Sequence, residues 1–109
     1  MKALVYEGPH NMPICDYPMC YPEAGQVKIK VKYCGICGSD LHGYTGASGR
    51  KIPPMVMGHE FSGVVTELGE GVTKFKVGDR VSVLPVEYCC ECEFCKRGAV
   101  NICANRRNL

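Results

Sequence analysis

No stretch of this chain approaches the roughly 18 consecutive apolar residues that a membrane-spanning helix needs. The N-terminal apolar run, Ala3-Leu4-Val5-Tyr6, meets Glu7, Gly8 and Pro9 too early to serve as a secretory signal. Nothing therefore marks the chain for export, and the expected compartment is the cytoplasm. Basic residues are scattered, and the net charge is only +2. A nucleic-acid surface usually needs a basic stripe, so that class is disfavoured. There is no internal repeat and no low-complexity segment. A Gly-x-Gly-x-x-Gly nucleotide fingerprint is also missing; the nearest approach, Gly69-Glu70-Gly71, lacks the third glycine.

What remains is an ordinary globular composition with one anomaly. The chain has 109 residues, 46% of them hydrophobic and 22% charged, which suits one compact domain. Thirteen glycines and seven prolines cut it into short pieces with little room for long helices. Gln26 to Tyr33 alternates, with Val27, Ile29, Val31 and Tyr33 on one face and Lys28, Lys30 and Lys32 on the other. That period predicts a strand with one buried face. Lys2 to Tyr6 and Glu60 to Leu68 also read as strands. Val77-Gly78-Asp79 reads as a turn feeding a strand, and Ser39 to Tyr44 as a turn or two of helix. The expected fold class is mainly β, with short helices.

The anomaly is nine cysteines, an odd number that cannot pair completely within one chain. In a reducing compartment, enriched cysteines tend to be metal ligands or catalytic groups. Five lie between positions 89 and 103. The intervals Cys89-x2-Cys92-x2-Cys95-x7-Cys103 suit a tetrahedral zinc site. Short gaps let a tight turn aim several sulfurs at one point, and the longer gap brings the chain round to the fourth corner. Lys96 and Arg97 stand ready to offset the charge of four thiolates. Buried or disulfide-linked cysteines are the alternative. Four protein ligands leave no position for substrate, so such a zinc holds a lobe of about 86–106 together and does no chemistry. Cys90 is either a spare thiol pointing away or a substitute for Cys89.

A second constellation is Cys37-Gly38-Ser39-Asp40-Leu41-His42 with Gly58-His59-Glu60. One thiolate (Cys37), one imidazole (His59) and one carboxylate (Glu60) can hold zinc and leave a position open. Ser39 and His42, three apart, could pass a proton outward. Asp40 could accept a hydrogen bond from the His59 imidazole and fix its tautomer.

These residues resemble the zinc-dependent medium-chain alcohol and polyol dehydrogenases, most nearly the sorbitol, threonine and butanediol dehydrogenase branch. The resemblance rests on Gly58-His59-Glu60-Phe61-Ser62-Gly63-Val64-x4-Gly69-x2-Val72, on Cys34 to His42, on Val77-Gly78-Asp79-Arg80-Val81 and on the four-cysteine lobe. It runs over nearly the whole chain. It implies a GroES-like, partly open β-barrel with a Cys-rich zinc lobe. Cys37 and His59 would ligate a catalytic zinc, with Glu60 a ligand directly or through water. Ser39 would take the proton of the substrate hydroxyl and His42 would carry it on. Cys89, Cys92, Cys95 and Cys103 would hold a structural zinc.

It implies NAD(H) or NADP(H) as hydride carrier and a small alcohol or polyol as substrate, with no membrane or nucleic-acid partner and a homo-oligomeric assembly. A substrate pocket would be shaped around Ser39, Tyr44 and Ile52. Members of that family are longer and carry a separate nucleotide-binding domain. The expectation is thus an N-terminal catalytic-domain portion, residues 1–109, inactive alone. Two other readings compete. A small zinc-stabilised interaction module would have no use for an open metal site. A nucleic-acid-binding zinc ribbon would want two Cys-x2-Cys knuckles about 15 residues apart.

Overall fold

In the computed structural model, which describes residues 1–108, eight short strands form three antiparallel sheets. In chain order the elements are β1 (Lys2–Tyr6), β2 (Ile14–Asp16), β3 (Val27–Cys34), α1 (Gly38–Tyr44), β4 (Met55–Val56), β5 (Phe61–Leu68), β6 (Arg80–Ser82), β7 (Val86–Glu87), α2 (Glu93–Lys96), a single 3-10 turn (Val100–Ile102) and β8 (Arg107–Asn108). One sheet runs β2-β1-β4, a second β3-β5-β6, and β7 pairs with β8. The mainly β expectation holds, and no closed barrel forms among the described residues.

The long central pairing is β3 with β5. It begins at Val27↔Leu68 and ends at Cys34↔Phe61, so the strand pair delivers Cys34 and Phe61 side by side at one end of the sheet. The segments that leave this end carry Cys37 in one direction and arrive from His59 in the other. A backbone bond from Gly35 N–H to the Glu60 carbonyl, 2.7 Å, staples the two segments just beyond the sheet. The turn before β6 is set by Asp79, whose carboxylate accepts the Lys76 N–H at 2.9 Å.

One strand departs from its sequence pattern. The alternation predicts a buried face on β3, yet Val31 is 50% and Tyr33 80% exposed. Two register shifts, between Lys28 and Ile29 and between Val31 and Tyr33, break the strict period. β3 is also an edge strand of a three-stranded sheet, and among the described residues no side chains pack closely enough over Val31 and Tyr33 to bury them.

The described residues also expose more surface than a compact chain of this length. The buried apolar core is confined to Val5, Tyr6, Met57, Val65 and Cys103. Contacts between elements run almost wholly within sheets. The radius of gyration is 15.6 Å, against about 13 Å for a compact chain of this length. The accessible surface is 8097 Å², roughly 2,100 Å² above what a compact chain of 12.0 kDa shows. Between the sheets lies a cavity of about 1150 Å³ with mostly apolar walls, among them Leu4, Val27, Ile29, Val56 and Phe61.

Candidate functional site

Two clusters of metal-type donors stand out among the described residues. The first is built by the cysteine lobe. β7 and β8 pair through Val86↔Asn108 and Glu87↔Arg107, closing the ends of the intervening loop against each other. Inside the loop, Cys92 adopts extended angles (φ −69°, ψ 162°) and caps α2, accepting the Cys95 N–H on its sulfur at 3.5 Å. Backbone N–H groups point at other sulfurs too. Cys92 N–H donates to Cys89 Sγ at 3.4 Å, while Cys89 and Asn105 donate to Cys103 Sγ at 3.4 and 3.3 Å.

The sulfurs of Cys89, Cys92, Cys95 and Cys103 all lie within 4.8 Å of one another. Cys103 is 3.5 Å from Cys89 and 3.9 Å from Cys92, and Cys89 is 4.0 Å from Cys95. A tetrahedron with Zn–S bonds of about 2.3 Å has edges of about 3.8 Å. The donor set therefore fits a tetrahedral zinc in both chemistry and spacing.

The electrostatics of the cluster are uneven. The N–H groups of Glu91 and Cys92 bring the Cys89 thiol down from its ordinary value to about 6. Cys92 is lowered as well, first by the N–H of Cys95. Burial pushes Cys95 up to about 12, reinforced by its cysteine neighbours. Four sulfurs this close resist full ionisation until a cation supplies the opposing charge. Arg97 does not face the cluster freely, because it pairs with Glu93 one helical turn back. Cys90 stays outside the cluster. It sits in the left-handed region (φ 60°) and is exposed.

The second cluster is Cys37, His59 and Glu60, whose donor atoms also lie within 4.8 Å of one another. Cys37 and His59 are half-buried and Glu60 is exposed, so this set of three is open on one side. Cys37 adopts extended angles (φ −84°, ψ 154°) as the N-cap of α1. Its N–H donates to Asp40 Oδ2 at 3.0 Å. Gly58, just before His59, holds φ 102°, and a Cβ there would sit 2.7 Å from Cys34 Sγ. Only glycine lets the chain bend past Cys34 and present His59.

Asp40 is the one buried charged residue among those described, 8% exposed. Its Oδ1 lies 3.3 Å from His59 Nδ1. Both atoms are buried and neither has a well-aligned hydrogen-bond partner, although they face each other within reach. A small ring rotation would join them, leaving Nε2 as the free donor atom of His59. Lys51, in the loop between α1 and β4, approaches the same Oδ1 at 3.8 Å. Sequence reasoning passed over Lys51.

Ser39 and His42 both lie on α1 and are exposed, and no hydrogen bond joins them among the described residues. Tyr44 lines the large cavity and meets His10 edge-on, with ring centroids 5.1 Å apart. Ser39 and Ile52 are not part of that cavity wall, so the three positions expected around a pocket are not gathered into one.

The comparisons with known proteins agree with one another. Residues 23–109 match the alcohol dehydrogenase GroES-like domain. The chain belongs to that family. It is 47% identical to a sorbitol dehydrogenase of Halalkalibacterium halodurans over 112 aligned positions, covering 100% of this chain and 32% of the relative. Among solved structures, an Escherichia coli CFT073 alcohol dehydrogenase (rspB) complexed with NADH superposes with a TM-score of 0.87 at 43% identity, covering 100% of this chain and 32% of that one. A thermostable alcohol dehydrogenase from Pyrobaculum aerophilum with cobalt and zinc bound gives 0.88 at 34% identity, covering 96% and 32%. The chain thus spans about a third of the length of the relatives it matches.

Proposed function

We propose that this chain is the N-terminal portion of the catalytic domain of a zinc-dependent, NAD(P)-linked alcohol or polyol dehydrogenase. The observation that carries this reading is the coexistence of a closed four-thiolate cluster and an open Cys37–His59–Glu60 cluster in one GroES-like chain. Cys89, Cys92, Cys95 and Cys103 hold a structural zinc, and Cys37, His59 and Glu60 supply ligands to a catalytic one. When bound, the catalytic zinc supplies Lewis acidity to a substrate hydroxyl, and a nicotinamide supplies the hydride acceptor.

The chain's own residues have narrower tasks. Cys37 is held by its place at the start of α1 and by the Asp40 carboxylate. Asp40 keeps Nδ1 of His59 occupied so that Nε2 is presented. Ser39, two positions after Cys37 and exposed, accepts the substrate's proton, and His42, one helical turn on, passes it to water. Nothing among the described residues offers a nucleotide site of the Gly-rich strand–turn–helix kind. The relatives' greater length, together with the open apolar cavity, supports a need for further chain to complete the domain and bind the cofactor.

The purified 109-residue chain, loaded with zinc and offered NAD+ or NADP+ with a panel of polyols, is expected to show no turnover. Measurable nicotinamide reduction by this chain would overturn the need for a partner segment.

A further inference from the structure

The Asp40 carboxylate does more than face one imidazole. Its Oδ2 accepts the Cys37 N–H at 3.0 Å, while its Oδ1 faces His59 Nδ1 at 3.3 Å. One side chain therefore stands between two candidate ligands from different elements, bonded to the backbone of one and within reach of the ring of the other. The third group at this carboxylate is Lys51, with Nζ 3.8 Å from Oδ1. All three side chains are withdrawn from water, at 17% exposure for Lys51, 11% for Asp40 and 15% for His59. Charges in so dry a place interact strongly, and an unpaired carboxylate is free to turn towards whatever cation or water it finds.

The path by which Lys51 arrives is itself specific. Gly43 is buried in α1, and a Cβ there would lie 2.8 Å from Lys51 Cγ and 3.5 Å from its Cβ. The missing methyl at position 43 is the space through which the lysine stem crosses the helix.

We propose that Lys51 is a positioning residue for the Cys37–His59–Glu60 site, locking the Asp40 carboxylate in the rotation that serves Cys37 and His59 together. This deepens the metal-site reading given above and rests on it. Lys51 is not among the three donors; it acts through Asp40. Gly43 belongs to the same device, because it lets the stem pass.

The test uses the 109-residue chain with its four-cysteine site filled by one equivalent of Zn2+ and then titrated with Co2+, read by thiolate–cobalt absorption. A second readout, on the chain without Co2+, is the pair of ring-nitrogen shifts of His59, which report its tautomer. Lys51→Met keeps the stem and removes the charge, and Gly43→Ala keeps the charge and blocks the stem. Both are expected to weaken Co2+ binding about ten-fold, the usual scale for losing an outer-shell partner. Both should also turn a single His59 tautomer into a mixture. Lys51→Arg should restore a single tautomer, and Arg50→Met, an exposed neighbour, should change nothing.

If Lys51→Met leaves both the Co2+ affinity and the His59 shifts at their parent values, the proposal fails. If the parent chain takes up no Co2+ beyond its Zn2+, three donors alone do not hold the ion in this chain, and the His59 shifts decide the role of Lys51: shifts unchanged in Lys51→Met overturn it.

Discussion

At Gly58 a backbone angle and a neighbouring sulfur impose the same residue. The position holds φ 102°, and a Cβ would meet Cys34 Sγ at 2.7 Å. Gly58→Ala is therefore expected to lower stability by about 1–3 kcal/mol, from left-handed strain and the clash together. Urea unfolding of the zinc-loaded protein measures it; an unchanged midpoint would contradict the geometry. Cys90 gives the opposite sign. It is exposed, stands outside the metal cluster, and holds φ 60° with a side chain that does not favour it. Cys90→Gly is expected to keep the full zinc content and to gain about 1 kcal/mol. Loss of zinc in that variant would return Cys90 to the ligand set. At this scale the sequence was most readable where partners are close along the chain. Cys89, Cys92 and Cys95 lie within seven residues of one another, so spacing alone placed them together. Lys51 gave no signal, because its route to Asp40 runs over a helix and depends on a methyl absent from Gly43.

The elements that carry the clusters share a device. Both helices begin on a cysteine in extended conformation, Cys37 for α1 and Cys92 for α2. For α2 the Cys92 sulfur accepts the Cys95 N–H, one of the helix's free first-turn donors. For α1 the first turn depends on the Asp40 carboxylate accepting the Cys37 N–H. Asp40→Ala is expected to cost about 1–3 kcal/mol, since it leaves a partly buried donor without its acceptor and Lys51 without its counter-charge. Equilibrium unfolding of the variant beside the parent checks this, and a loss below about 0.5 kcal/mol would show that the cap contributes little. The strands were legible in existence and close in their ends: β1 spans Lys2–Tyr6 as read, and β5 begins one residue later than read. The fate of the apolar face of β3 was not legible. Alternation records which residues share a face, but whether another layer covers that face is decided by chain elsewhere in space.

For the whole molecule, the excess of surface and the split core belong with the two metal clusters. Among the described residues the sheets face one another across the apolar cavity, and few side chains are buried. A zinc held by the four cysteines would then be a main source of order in the C-terminal lobe, where Cys103 is the single buried residue among those described. The open site is different in kind, with three donors and one of them exposed. The family was readable from motifs because glycines, histidine and cysteines stand at fixed offsets. The open apolar cavity was not, since composition does not say which apolar surfaces are covered. The central claim is that one site is complete within the chain and the other is not. Elemental analysis of the purified chain after mild chelation tests it most directly. One zinc per chain is expected, falling to well below one in Cys95→Ser with a lower melting temperature. Two zincs retained would show that Cys37, His59 and Glu60 already form a closed site, and an unchanged zinc content in Cys95→Ser would contradict the four-cysteine centre.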